Sequence, residues 1–130
     1  MLIFILSKQY DEISPKVLNI LKDYSTILYV SSIVVQELLL LYRIGKFRYA
    51  YYKSEIDILA DIRKIEIETV FFNKYHLETY TSLKIAASHK DMNDHVIIAQ
   101  AISDKIPIIS SDSKFKEYIM QGLSFIYNRR

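Results

Sequence analysis

Apolar positions along this chain fall into two alternating kinds of run: short and β-branched, or longer with a three-to-four-residue rhythm. Ser14-Pro15 opens the first of the longer runs. Pro15 stands at a first helical position and Val17, Leu18 and Leu21 share one face, which predicts a helix near 15–24. Thr26 to Ser31 is short, β-branched and apolar, the pattern of a strand. Ser31-Ser32 then offers an N-cap for a helix from Ile33 to Arg43, with Gly45 as its natural C-cap. Tyr49, Tyr52, Ile56 and Leu59 recur at helical spacing, so 47–64 is expected to form another amphipathic helix. Glu66 to Phe72 alternates and then turns apolar like a strand entering a core, and Asn73 can cap a helix reaching about Ala87. A helix from Met92 to Ser103, a strand from Ile106 to Ser111, a short helix from Ser113 to Met120 and a strand from Ser124 to Tyr127 complete the pattern. Such alternation indicates an α/β fold, a parallel sheet with helices on both faces.

Only two glycines and two prolines punctuate the 130 residues, and no linker-like segment divides them, so residues 1–130 read as a single domain. The absence of cysteine excludes disulfides, thiolate zinc sites and cysteine nucleophiles, so any metal must be held by oxygen or imidazole. The opening apolar run is too short for a signal sequence or a membrane span, and the chain is read as cytoplasmic. A formal net charge of +2 does not announce nucleic-acid binding. Local clusters are more suggestive: Lys46 with Arg48, Lys114 with Lys116, and Arg129 with Arg130 could neutralise phosphates or simply be solvated.

In parallel sheets ligands collect beyond the carboxyl ends of the strands, and candidate carboxylates map there. Asp112 directly follows the apolar strand, and Asp94 lies in the first turn of the Met92 helix. Glu37 interrupts a helix that is apolar almost all round, where a lone carboxylate is costly unless paired or bound to metal. Asp91 has N-cap spacing with Asp94 at the third helical position, so capping competes with a ligand role. Two carboxylates about 4 Å apart repel by roughly 4 kcal/mol at an effective dielectric near 20, which a cation relieves. Hard oxygen ligands without thiols favour magnesium or manganese, with no protein nucleophile required. His76, His89 and His95 lack short ligand spacing and do not form a zinc motif, although His95 beside Asp94 could touch a phosphate. Tyr49, Tyr51 and Tyr52 read as packing residues rather than a base-stacking motif.

Three of these segments resemble the PIN-domain ribonucleases, and among them the VapC-type toxins of bacterial toxin-antitoxin pairs. Tyr29-Val30-Ser31-Ser32 through Glu37-Leu38 looks like the strand and helix carrying the family's second acid. His89-Lys90-Asp91-Met92-Asn93-Asp94 through Ala99-Gln100-Ala101 looks like its third-acid motif. Ile108-Ile109-Ser110-Ser111-Asp112 with Phe115 looks like its last, Ser110 standing for the usual threonine. The resemblance implies a three-layer α/β/α sandwich with a mostly parallel central sheet. It also implies Glu37, Asp94 and Asp112 as acidic metal-site residues, supported by Asp91 and Ser110. Magnesium or manganese is the implied cofactor, single-stranded RNA, and among RNAs tRNA, the implied substrate, and a homodimer inhibited by a small antitoxin the implied assembly. Lys46, Arg48, His95 and Lys114 are then the candidates for contact with RNA.

The departure from the family is at the front. Leu2-Ile3-Phe4-Ile5-Leu6-Ser7 resembles the helix that follows the family's first strand and its Asp-Thr-Asn-like motif, so that strand and the first acid are missing, and Asp11 and Glu12 lie too far along to replace it. Two expectations follow: a gap in the sheet, filled by rearrangement of Met1 to Leu6 or by a second copy, and weakened metal binding and cleavage. The alternative is a catalytically silent module that binds an antitoxin or RNA. A DNA nuclease with the same site is a third reading, because nothing in the sequence shows how sugar hydroxyls are sensed.

Overall fold

The computed structural model describes residues 1–49 and 51–130. Its elements run α1 (Leu2–Leu6), a short 3-10 turn (Tyr10–Glu12), α2 (Pro15–Lys22), β1 (Leu28–Ser31), α3 (Ser32–Arg43), α4 (Glu55–Lys64), β2 (Ile67–Val70), α5 (Lys74–Ser82), α6 (Met92–Asp104), β3 (Ile108–Ser110), a longer 3-10 helix (Ser113–Gln121) and β4 (Phe125–Tyr127). Most boundaries are set by local chemistry. Ser14 accepts from the Val17 amide ahead of Pro15, and Ser31 accepts from the Ile33 amide at the start of α3. Gly45 follows the last turn of α3 at φ +82°, where a Cβ would be strained, and the Lys46 amide closes back on Leu41. Asn73 accepts from the Tyr75 and His76 amides and starts α5, which ends at Ser82 rather than near Ala87.

Residues 47–64 do not form one helix. Ser54 and Asp57 make a capping box, so α4 begins at Glu55, while Ile56, counted on the apolar face, is exposed. Phe47, Tyr49, Tyr51 and Tyr52 form an aromatic cluster instead, Tyr49 stacked on Tyr51 and the Phe47–Tyr49 and Tyr51–Tyr52 pairs edge-on, and the Tyr51 hydroxyl donates to the Leu6 carbonyl at 2.8 Å. The predicted periodicity there is that of an aromatic cluster packed onto α1. Ala50, within the predicted helix, lies outside the described residues.

The strands form two parallel pairs rather than one sheet. β1 pairs with β2, Leu28 opposite Ile67 and Ser31 opposite Val70; β3 pairs with β4, Ile108 opposite Phe125 and Ser110 opposite Tyr127. Between β1 and β3 lies a cavity of about 460 Å³ lined by all of β1 and by residues 106–110. The expected gap is therefore present, but Met1 to Leu6 do not fill it. Leu2 and Leu6, four apart, bury on the same side of α1, and the Ser7 hydroxyl bonds the Ile3 carbonyl, so the segment is helical. Two cores follow the same division. One joins α1, β1, α3, Phe47, Tyr52, α4 and β2; the other joins α6, β3, the longer 3-10 helix and β4.

Long-range polar contacts tie the elements together. The Gln100 amide donates to the Val70 carbonyl, and buried His76, whose Nδ1 accepts from the Asn73 amide, donates from Nε2 to Asp104 at 2.9 Å, fastening α5 to α6. Asn128 is wholly buried: it accepts from the Ser14 amide and donates to Glu12 O and Ser111 Oγ. No helix among the described residues is long and apolar enough to cross a membrane.

Candidate metal centre

The carboxylates named from sequence lie where the two half-sheets end. Asp91 caps α6, its Oδ1 accepting from the Asn93 and Asp94 amides at 3.0 and 3.3 Å. That leaves the Asp94 carboxylate, one turn in, free to turn away from the helix terminus. It meets His89 Nε2 at 3.1 Å, and one ligand atom each from His89, Asp94 and Asp112 lie within 4.8 Å of one another. Asp112 lies two residues past the end of β3, its amide donating to Ser110 Oγ and its Oδ1 accepting from the Lys114 amide at the start of the 3-10 helix. Glu37, half-buried on α3, accepts from the Asn93 side chain and so faces the residue next to Asp94. Since Glu37 follows β1 and Asp112 follows β3, the two strand pairs point their carboxyl ends the same way.

His89 was not assigned to the site from sequence, and it organises it. Its ring is buried, with Nδ1 2.8 Å from the Tyr118 hydroxyl. That hydroxyl oxygen already accepts from the Ala86 amide, and the hydrogen of a wholly buried phenol needs an acceptor of its own, which is His89 Nδ1. The imidazole therefore carries its hydrogen on Nε2 and donates it to Asp94. His89 is in this tautomer a positioning group, and Glu37, Asp94 and Asp112 remain as oxygen donors. The signal missed in the sequence was non-local: Tyr118 lies 29 residues after His89.

The site is electrostatically unfavourable without a cation. Burial raises the pKa of Asp94 above the usual aspartate value; neighbouring Asp91 and Asp112 push the same way, while the His89 hydrogen bond opposes the rise. A hard divalent ion fits that donor set, because it supplies the charge the carboxylates lack and prefers their oxygens.

Other sequence candidates are not all brought together. His95 is buried and spends Nε2 on the His89 carbonyl at 2.8 Å, so it faces the interior rather than a phosphate, contrary to the reading from its place beside Asp94. Asp91 is occupied as a cap and is not in the three-residue cluster. Ser110 supports Asp112 through the backbone bond just described. Lys46, Arg48 and Lys114 are exposed, with the Arg48 guanidinium over the Tyr42 ring.

The PIN domain family model matches residues 3–119. Among solved structures, the chain is similar to one in the crystal structure of VapBC2 from Rickettsia felis bound to a DNA fragment from their promoter, at 21% identity and a TM-score of 0.64, covering 98% of this chain and 93% of that one. No curated protein matches the sequence.

Proposed function

The chain belongs to the PIN-domain family, and from that membership we propose that it is a metal-dependent endoribonuclease of the VapC toxin type. The observation that carries this reading is the approach of Asp94 and Asp112 to within 4.8 Å, with His89 alongside, at the carboxyl ends of parallel strands. Glu37, Asp94 and Asp112 would hold magnesium or manganese. Bound there, such an ion supplies a water of lowered pKa and Lewis-acid stabilisation of charge on a phosphodiester. The rest of the work falls to this chain's own groups: His89 fixes the Asp94 carboxylate, Asn93 fixes Glu37, and Asp91 closes the helix end beneath them. Exposed Lys46, Arg48 and Lys114 are the proposed contacts to RNA phosphates, with tRNA as one substrate to test. The Rickettsia felis structure is of an assembled VapBC2, which supports a small antitoxin as partner here; a homodimer, a single domain over 1–130 and a cytoplasmic location complete the proposal.

A second reading, a silent module that binds an antitoxin or RNA, is favoured by the break in the sheet beside the acids. The two separate in one experiment: manganese titration by calorimetry alongside manganese- and magnesium-dependent cleavage of a structured RNA pool, with Asp94→Asn as control. Saturable binding and cleavage, both lost in Asp94→Asn, support the nuclease. RNA binding without either supports the module and overturns the nuclease.

A further inference from the structure

By distance alone His89, Asp94 and Asp112 offer an imidazole and two carboxylates within 4.8 Å of one another, a donor set that zinc takes readily. The hydrogen count withholds the imidazole. Tyr118 is wholly buried, its oxygen accepts from the Ala86 amide at 3.2 Å, and its own hydrogen has His89 Nδ1 at 2.8 Å as acceptor. Nδ1 is thereby bare, Nε2 carries the ring hydrogen, and Asp94 receives it on Oδ2 at 3.1 Å. Rotating the ring would forfeit both bonds, and its neighbours leave it little room. His95, Phe115 and Tyr118 all meet the His89 ring edge-on, at centroid distances of 4.8, 5.9 and 5.4 Å.

A cation on Nε2 would displace that hydrogen, and a neutral ring would then have to carry one on Nδ1. Nδ1 would donate to the phenol oxygen, and the phenol hydrogen would be left in the interior without an acceptor. An unmet buried donor of this kind weakens binding through Nε2 by roughly ten- to a hundredfold. Magnesium and manganese escape the penalty, since carboxylate oxygens suit them and Asp94 keeps Oδ1 for a cation. Zinc exceeds manganese in intrinsic affinity for a shared set of ligands, so a protein discriminates between them by the kind of ligand it offers. Here the discrimination consists in denying the nitrogen.

We propose that the Tyr118 hydroxyl is a metal-selectivity determinant acting through His89: it locks the imidazole hydrogen on Nε2 and so biases the centre toward hard cations held by oxygen alone and against zinc. The inference rests on the metal-centre reading of Asp94 and Asp112. It is tested by nitrogen NMR of the histidine rings in the intact chain, without and with zinc, and by calorimetric titration of wild type and Tyr118→Phe with zinc and with manganese. The expected spectrum has a protonated Nε2 and a bare Nδ1 at His89, unchanged by zinc. In Tyr118→Phe manganese affinity falls while zinc affinity is kept or rises, so the zinc-to-manganese affinity ratio grows by about tenfold or more. A hydroxyl that merely helped to orient Asp94 would lower both affinities in parallel, a result that overturns the proposal and leaves the metal centre standing. A hydrogen on Nδ1 in the metal-free chain, or loss of the Nε2 hydrogen when zinc is added, overturns it in the unaltered protein, whether or not the variant folds. Binding of neither metal by wild type overturns the metal centre and the proposal together.

Discussion

Glu37 on α3 accepts a hydrogen bond from the side chain of Asn93 on α6, joining residues 56 positions apart. This contact sets the distance between the acid that follows β1 and the pair near the end of β3. Asn93→Ala should leave the fold intact, because the bond is exposed, yet lower manganese affinity by about tenfold as Glu37 loses its orientation. Calorimetric titration of both proteins checks it; unchanged affinity would remove Asn93 from the site.

Tyr118 governs the site from the interior. Tyr118→Phe leaves His89 Nδ1 without its donor and the Ala86 amide without its acceptor, at a cost of about 1–3 kcal/mol in stability. Manganese affinity should fall about 10- to 100-fold, as for other groups that orient a ligand through a neighbour. Urea unfolding and metal titration on the same variant read the two effects separately.

Asp94 predicts a pH dependence. Its folded pKa is raised chiefly by burial, so the native chain holds that proton more tightly than the unfolded one. The associated stability is complete below the ordinary aspartate value, near 4, and is lost as pH rises through the folded one. Urea midpoints of the metal-free protein should therefore decline across that window, more weakly in Asp94→Asn. Added manganese should restore the wild type at neutral pH and not the variant.

The sequence showed some of this site and concealed the rest for a physical reason. Asp91 as a cap, Asp94 one turn into α6 and Asp112 after β3 depend on neighbours a few residues away, and local spacing reveals them. The β1–α3 and α6–β3 order, and with it the parallel arrangement, is legible for the same reason. His89 is not, because its role depends on Tyr118, and the true inward setting of His95 depends on the backbone of His89. The aromatic spacing after Gly45 mimics a helix, while its actual determinant is contact with α1, forty-odd residues upstream.

Asn128 gives a test far from any acid. Its amide satisfies Ser14 N, Glu12 O and Ser111 Oγ from a fully buried position. Asn128→Ala should cost about 2–4 kcal/mol, since buried partners are left unpaired. Chemical denaturation checks it, and a change within error would show that water replaces the amide.

The division into two cores bears on cooperativity. With α1, β1, α3, α4 and β2 packed in one cluster and α6, β3, β4 and the 3-10 helix in another, the two halves meet across a gap rather than through a shared ladder. Gln100 and Asn93 cross between them as side-chain contacts. Heat should consequently disassemble this molecule in two overlapping steps, with a calorimetric enthalpy larger than the van't Hoff value.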